Sequence, residues 1–299
     1  MAKPIPVILD TDIGGDIDDT WALAMLLNSP ELDVKLISTT TGNTTERAKV
    51  VARMLEIAGR TDIPIAIGRH EKDELIDQSP WVAGYDLARY PGKVTPDSPA
   101  AIIETIMASP QQVTVIAIGP VPDLADALKR RPDIAARARF VGMHGSVYRG
   151  YEGKDHRYNE YNVRKDPASA RIVFKAPWEK TITPLDTCGH VRLAGPLYQE
   201  VVRSDSPLAR AVIENYRVWL RGKDDDGRSS ILFDAVAVYL AFADEWLEMR
   251  PVKLRITDDG FTEPDEVGGD VVNCALEWKD KDSFYRMLVD RVIAPGVKS

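Results

Sequence analysis

The chain of 299 residues contains only two cysteines, Cys188 and Cys274. Two cysteines in so long a chain make no disulfide framework, so a reducing compartment is expected. Long apolar runs are missing as well. None approaches the roughly 18 uninterrupted residues that a membrane-crossing helix needs. There is no basic surplus either: 38 Lys and Arg stand against 46 Asp and Glu, a formal net charge of −8. Nucleic-acid polymers are held through clustered Lys and Arg, so a polymer of that kind is excluded as partner. The N-terminus carries Lys3 too early for a secretory signal, which makes the cytoplasm the expected location. Repeats, low-complexity segments and clear linkers are absent, and residues 1–299 read as one domain.

What is present is 44% hydrophobic sequence, enough for a substantial core. Short β-rich runs alternate with helical patterns. Strands are expected at Val7–Leu9, Val34–Thr39, Pro64–Ile67, Val113–Ile118 and Phe140–Met143. Helices are expected at Asp19–Leu27, Glu46–Ala58, Ile102–Met107, Leu124–Leu128, Leu208–Leu220 and Phe233–Ala243. This alternation argues α/β: an open, mostly parallel sheet with a Rossmann-like core, flanked by helices on both faces. Near the C-terminus, Lys253–Thr257 and Val271–Trp278, with turns at Asp259-Gly260 and Gly268-Gly269, suggest a small antiparallel addition, closed by a helix from Ser283 to Ile293. Two segments, Arg69–Pro99 and His144–Asp166, read as long irregular loops. Loops of that length in compact domains are functional or disordered, and their aromatics argue against disorder.

Five carboxylates crowd into ten residues: Asp10, Asp12, Asp16, Asp18 and Asp19. They follow a strand and precede a helix, where sites form in open α/β sheets. Carboxylates about 5 Å apart repel by about 3 kcal/mol per pair at an effective dielectric near 20. A hard divalent ion with oxygen ligands relieves that repulsion, and Ca2+ tolerates the irregular coordination of such a loop. Capping of the next helix by Asp18 or Asp19 is the alternative for any single residue. An EF-hand loop is excluded, because its twelfth position would be Trp21 rather than Glu. Asp10-x-Asp12 after a strand also resembles the nucleophile of haloacid-dehalogenase-type phosphatases. Those need a second acidic pair after a later strand, and the obvious acidic run, Asp224–Asp226, sits in a polar loop.

The same stretch resembles the inosine–uridine-preferring nucleoside hydrolase family, whose first strand ends in Asp-x-Asp-Pro-Gly-x-Asp-Asp-x-x-Ala-Leu. Here Ile13 stands for the Pro, and two extra residues lie between Gly14 and the Asp18-Asp19 pair. Further segments match in order. Thr39–Asn43 is similar to Thr-x-x-Gly-Asn, and Ile118-Gly119-Pro120 to x-Gly-Pro. Glu160-Tyr161-Asn162 is similar to Glu-x-Asn before an Asp-Pro helix start. Phe233-Asp234-Ala235 matches the opening of a late helix. Together these motifs cover about residues 5–245.

The resemblance implies a nucleoside hydrolase fold and a Ca2+-dependent hydrolysis of the N-glycosidic bond of a ribonucleoside. The ion would be held by Asp12, Asp19, Asp234 and the carbonyl of Ile118. Asp12 would activate the attacking water as general base. Asp18, Asn43, Glu160 and Asn162 would bind ribose, with Met143 beside it. Asp16, in the extension, is a candidate for a ribose contact that Asp18 makes in shorter loops. Local readings remain for several of these residues. Asn43 also fits a helix N-cap with Glu46 three residues on. Asp234 fits a cap, and Glu160 and Asn162 fit solvated loop residues. The family's leaving-group His before the late-helix Asp is Phe233 here, and no His matches in the Arg69–Pro99 loop. That leaves Trp81 or Tyr85 to stack on the base, as purine-preferring relatives do, with a modified nucleoside equally open. The family also implies a homodimer or homotetramer. A nucleoside- or calcium-binding module without catalysis is the non-enzymatic alternative.

Overall fold

A computed structural model describes residues 3–295. Its strands are β1 (Ile5–Thr11), β2 (Leu32–Thr39), β3 (Ile65–Ile67), β4 (Val94–Thr95), β5 (Val113–Ala117), β6 (Ala138–Met143), β7 (Lys180–Thr183), β8 (Leu247–Ile256), β9 (Thr262–Pro264) and β10 (Asp270–Trp278). They form one sheet in the order β4-β3-β2-β1-β5-β6-β7-β10-β8-β9. Every pair from β4 to β10 is parallel, while β8 runs antiparallel to β10 and β9 antiparallel to β8. The expected open parallel sheet with an antiparallel addition is what the chain forms.

Both faces are covered because strand side chains alternate. Val7 and Leu9 of β1 and Ile116 of β5 pack in one core. Ile8, Val115 and Ala117 pack in the other. The helix Asp18–Leu27 lies in the first core and all ten of its residues are buried. Beyond its opening Asp18-Asp19-Thr20 it is apolar on every side, and such a stretch belongs inside. It packs on the helix Phe233–Leu240 and on Pro207–Trp219. The helices Ser98–Ala108, Pro122–Arg130 and Pro167–Lys175 cover the other face.

From β1 the chain builds outward through β2, β3 and β4, then returns to place β5 on the other side of β1. The strand order therefore reverses between β1 and β5. Loops leaving such a point diverge and open a crevice at the carboxyl ends of the strands. The acidic loop leaves β1 there, and Ile118 follows β5. No helix among the described residues is long and apolar enough to cross a membrane.

The two segments read as irregular hold more structure than expected. Arg69–Pro99 contains two short 3-10 turns, β4 and the start of the helix Ser98–Ala108. The second segment contains a 3-10 turn at Tyr151–Gly153 and the helix Tyr161–Lys165.

Candidate active site

At the reversal point lies a cavity of about 450 Å3. Asp12, Asp16, Asp18, Asp19, Ile118, Met143, Glu160, Asn162 and Asp234 all line it. These residues come from five separate segments, and the fold gathers them at the carboxyl ends of β1, β5 and β6.

Asp18 and Asp19 open their helix without capping it: the cap position is Ile17 and has no side-chain bond. Asp234 likewise opens its helix after an uncapped Leu232. All three carboxylates are buried, and their oxygens come within 4.8 Å of one another. Burial holds each well above its ordinary pKa, and neighbouring carboxylates add to the rise: Asp16 for Asp18, Asp12 and Asp18 for Asp19, Asp18 and Asp19 for Asp234. Two hydrogen bonds work against this. Thr11 Oγ1 donates to Asp19 at 2.5 Å, and the Asp234 amide donates to Asp18 at 3.3 Å. A converging set of hard oxygen donors with little cationic compensation fits a hard metal ion.

Asp12 opens on the same cavity, its carboxylate 4.0 Å from Arg47. Burial raises its pKa and the guanidinium of Arg47 opposes the rise. Arg47 also donates to the carbonyls of Thr41 and Ile13, both at 2.8 Å. Gly119 lets β5 come this close: a Cβ there would lie 2.8 Å from the Asp12 amide nitrogen and from its carboxylate. The Gly after Ile118 is therefore a packing requirement.

Glu160 caps the helix Tyr161–Lys165. Its Oε1 accepts from the Asn162 amide at 2.6 Å, and its Oε2 accepts from Gly145 and Val163 at 3.0 and 3.3 Å. Burial pushes its pKa up to about 7 despite these three bonds. An ionised carboxylate offers about four acceptor positions, so about one is left for a ligand. Asn162 spends both amide hydrogens on the carbonyls of Met143 (2.9 Å) and Ile118 (3.3 Å), leaving its own oxygen free as an acceptor. The pair is buried rather than solvated.

Two expected contacts lie elsewhere. Asn43 caps the helix Thr44–Ala58, accepting from Glu46 at 3.1 Å, and does not line the cavity. Trp81 is buried in the core with the Arg53 guanidinium 4.2 Å over its ring. Tyr85 donates to Glu56 at 2.7 Å. The cavity's aromatics are instead Tyr151, Tyr161 and Phe233. None of the four histidines lines it; His144 is fully buried, with its pKa lowered to about 3. Arg47 and Arg164 also line the cavity, outside the motifs that mark the site in the sequence. For Arg47 the signal was there, since it falls three and four residues before Val50 and Val51 on the apolar helix face.

The phosphatase alternative finds no support in this geometry. Asp10 is fully buried and does not line the cavity. Asp224–Asp226 do not line it either, and Asp225 accepts from Tyr198 at 2.6 Å.

A crevice at the strand-order reversal, with buried carboxylates beside polar and aromatic groups, defines an α/β enzyme that works on a small molecule. The chain belongs to the inosine-uridine preferring nucleoside hydrolase family, whose profile matches residues 7–286. It is 34% identical over 180 residues to the probable uridine nucleosidase 2 of Arabidopsis thaliana, covering 56% of this chain and about half (55%) of that relative. The inosine-uridine preferring nucleoside hydrolase of Crithidia fasciculata is 31% identical over 229 residues, 71% of this chain and 70% of its own. A solved plant nucleoside hydrolase superposes with a TM-score of 0.82 at 24% identity, covering 98% of this chain and all of the other (100%). The purine-preferring ribonucleoside hydrolase of Gardnerella vaginalis gives 0.77 at 20% identity, over 96% and 98%. The named relatives are ribonucleoside hydrolases, enzymes that hydrolyse N-glycosyl bonds.

Proposed function

We propose that this chain hydrolyses the N-glycosidic bond of a ribonucleoside with the help of Ca2+, as a homodimer or homotetramer in the cytoplasm. The observation that carries the reading is one cavity that joins converging carboxylates, an acceptor-rich Glu160–Asn162 pair and three aromatic rings. Its volume lies within the about 300–1,000 Å3 typical of small-molecule sites.

Asp18, Asp19 and Asp234 would hold the ion, with Asp12 and the second lone pair of the Ile118 carbonyl beside them. When bound, the ion supplies Lewis acidity to water and to the sugar hydroxyls. Asp12 takes the proton of the attacking water. Bond cleavage develops positive charge on the ribose, and the carboxylates lining the cavity stabilise it electrostatically. The free acceptor positions of Glu160 and Asn162 take ribose hydroxyls and orient the sugar. Tyr151, Tyr161 and Phe233 pack on the base.

The test is a reducing-sugar assay across a nucleoside panel, with chelator and with added Ca2+. Wild type should release ribose only with the ion. Asp12→Ala should release none and keep its Tm. Full activity in Asp12→Ala, or activity indifferent to chelation, would overturn the proposal. Saturable nucleoside binding with no sugar released would favour a binding module, and phosphate release from phosphate esters a phosphatase.

A further inference from the structure

The two-residue extension gives the acidic loop an unusual set of tethers. Its four successive carbonyls, Ile13 to Asp16, each accept a hydrogen bond from another part of the chain. Arg47 Nη1 reaches Ile13 at 2.8 Å, and the Gln78 amide reaches Gly14 at 3.1 Å. Trp219 Nε1 reaches Gly15 at 3.0 Å, and Gln78 Nε2 reaches Asp16 at 2.7 Å. Gly14 sits at φ +106°, a conformation glycine adopts without the strain a side chain would bring.

Gln78 supplies two of the four, and its side chain does more. It is fully buried, and its Oε1 accepts from Thr20 Oγ1 at 3.1 Å and from Asn215 Nδ2 at 2.5 Å. Asp16 and Thr20 flank the Asp18-Asp19 pair. One amide therefore clamps the backbone before the pair and the hydroxyl after it, while Asn215 fixes the amide from the helix Pro207–Trp219. Gln78 follows Asp77, which lines the cavity, so the same residue joins the rim segment to the acidic loop.

We propose that Gln78 is the positioning residue of the acidic loop. It holds Asp18 and Asp19 in the converged arrangement against their mutual repulsion, so that the loop is preorganised for the cation. Trp219 assists through Gly15. This inference rests on the proposed cation-dependent function but not on the identity of the base. Neither residue is assigned contact with ion or substrate.

The test measures Ca2+ affinity by titration calorimetry on the full chain, beside kinetics. Gln78→Met keeps the length and loses both polar functions. Trp219→Phe keeps a ring against Tyr216 (centroids 5.9 Å apart) and loses the Nε1 donor with part of the ring. Groups that orient a metal site from behind commonly change affinity about 10–100-fold. Gln78→Met is expected to weaken Ca2+ binding about tenfold, at the lower end of that range, and Trp219→Phe less. The kcat of both should return to the wild-type level at saturating Ca2+. A purely structural role would lower Tm and leave the Ca2+ affinity unchanged. Unchanged affinity in folded Gln78→Met, with wild type active, would overturn the positioning role and leave the proposed function standing. If Gln78→Met fails to fold, Trp219→Phe decides: weaker binding supports the clamp and unchanged affinity overturns it. Weakened Ca2+ binding in the variants beside a wild type that releases no ribose would do the reverse, supporting the clamp and removing the function.

Discussion

Raising the pH of the cation-free protein from 5 to 8 is expected to destabilise it, and Ca2+ to reverse the loss. The perturbation acts on Asp18, Asp19 and Asp234, whose oxygens lie within 4.8 Å of one another. At an effective dielectric near 20, two charges at that distance repel by about 3.5 kcal/mol. Full ionisation would create three such pairs, about 10 kcal/mol. That approaches the whole stability of a typical domain, about 5–15 kcal/mol. The cation-free protein must therefore keep protons on the cluster. The sign follows from the raised folded-state pKa of all three groups. In the unfolded chain each titrates near 3.8. The folded state keeps its proton longer, so stability is full below pH 3.8 and is lost as pH rises through the raised values. A bound Ca2+ would compete with those protons, so its affinity should grow with pH over the same window. At a Ca2+ concentration a hundred times Kd the ion stabilises by about 2.7 kcal/mol. At about 2 °C per kcal/mol for a chain of this size, that is a rise of about 5 °C. The assay is thermal unfolding with chelator and with Ca2+ at each pH. The gap between the two melting temperatures should widen from pH 5 to pH 8. Asp234→Asn, which removes two of the three repulsive pairs, should raise the cation-free Tm at pH 8 and shrink the gap. A gap that is constant, or larger at pH 5, would refute the account.

Two further outcomes separate site from scaffold. Trp81→Ala should cost about 3–5 kcal/mol of stability, as for a buried aromatic, yet leave the inosine-to-uridine ratio of kcat/KM unchanged. Phe233→Ala should do the opposite, raising nucleoside KM several-fold with a smaller loss of Tm; matched kinetics and melting curves on both variants check the pair. Asn43→Ala should lower stability by about 1 kcal/mol through the lost cap and leave KM within about twofold of wild type. A tenfold rise in KM would instead place Asn43 at the ribose.

The elements legible in the sequence are those with a clear apolar pattern, whether one face of a helix or an unbroken buried run such as Val113–Ala117. Glu46–Ala58 was readable because one helical face is apolar, and the helix extends it only to Thr44. Strand β7, Lys180–Thr183, is not legible in the sequence because four residues with two threonines and a lysine carry too short a pattern. Strand β8 begins at Leu247, six residues before the expected start. Pro251 hid it, since proline lacks the ladder donor. The fold tolerates it because β9 pairs only with Leu254–Ile256, so Pro251 faces no strand on that side.

The site divides in the same way. Carboxylates were legible because crowded charge has few uses besides a cation, and the cavity gathers Asp12, Asp16, Asp18, Asp19 and Asp234. Aromatic direction was not legible. Nothing local tells that Trp81 turns inward beneath Arg53 while Tyr151 and Phe233, with centroids 5.8 Å apart, face the cavity. The extension around Asp16 shows the limit most sharply. Its length could be counted in the sequence, but its shape depends on Gln78, 62 positions away, and on Trp219, 204 positions from Gly15. An insertion beside a charged cluster adds backbone freedom that opposes convergence. Such a loop works only if distant donors remove that freedom, so the residues that make the insertion tolerable lie outside the motif that contains it.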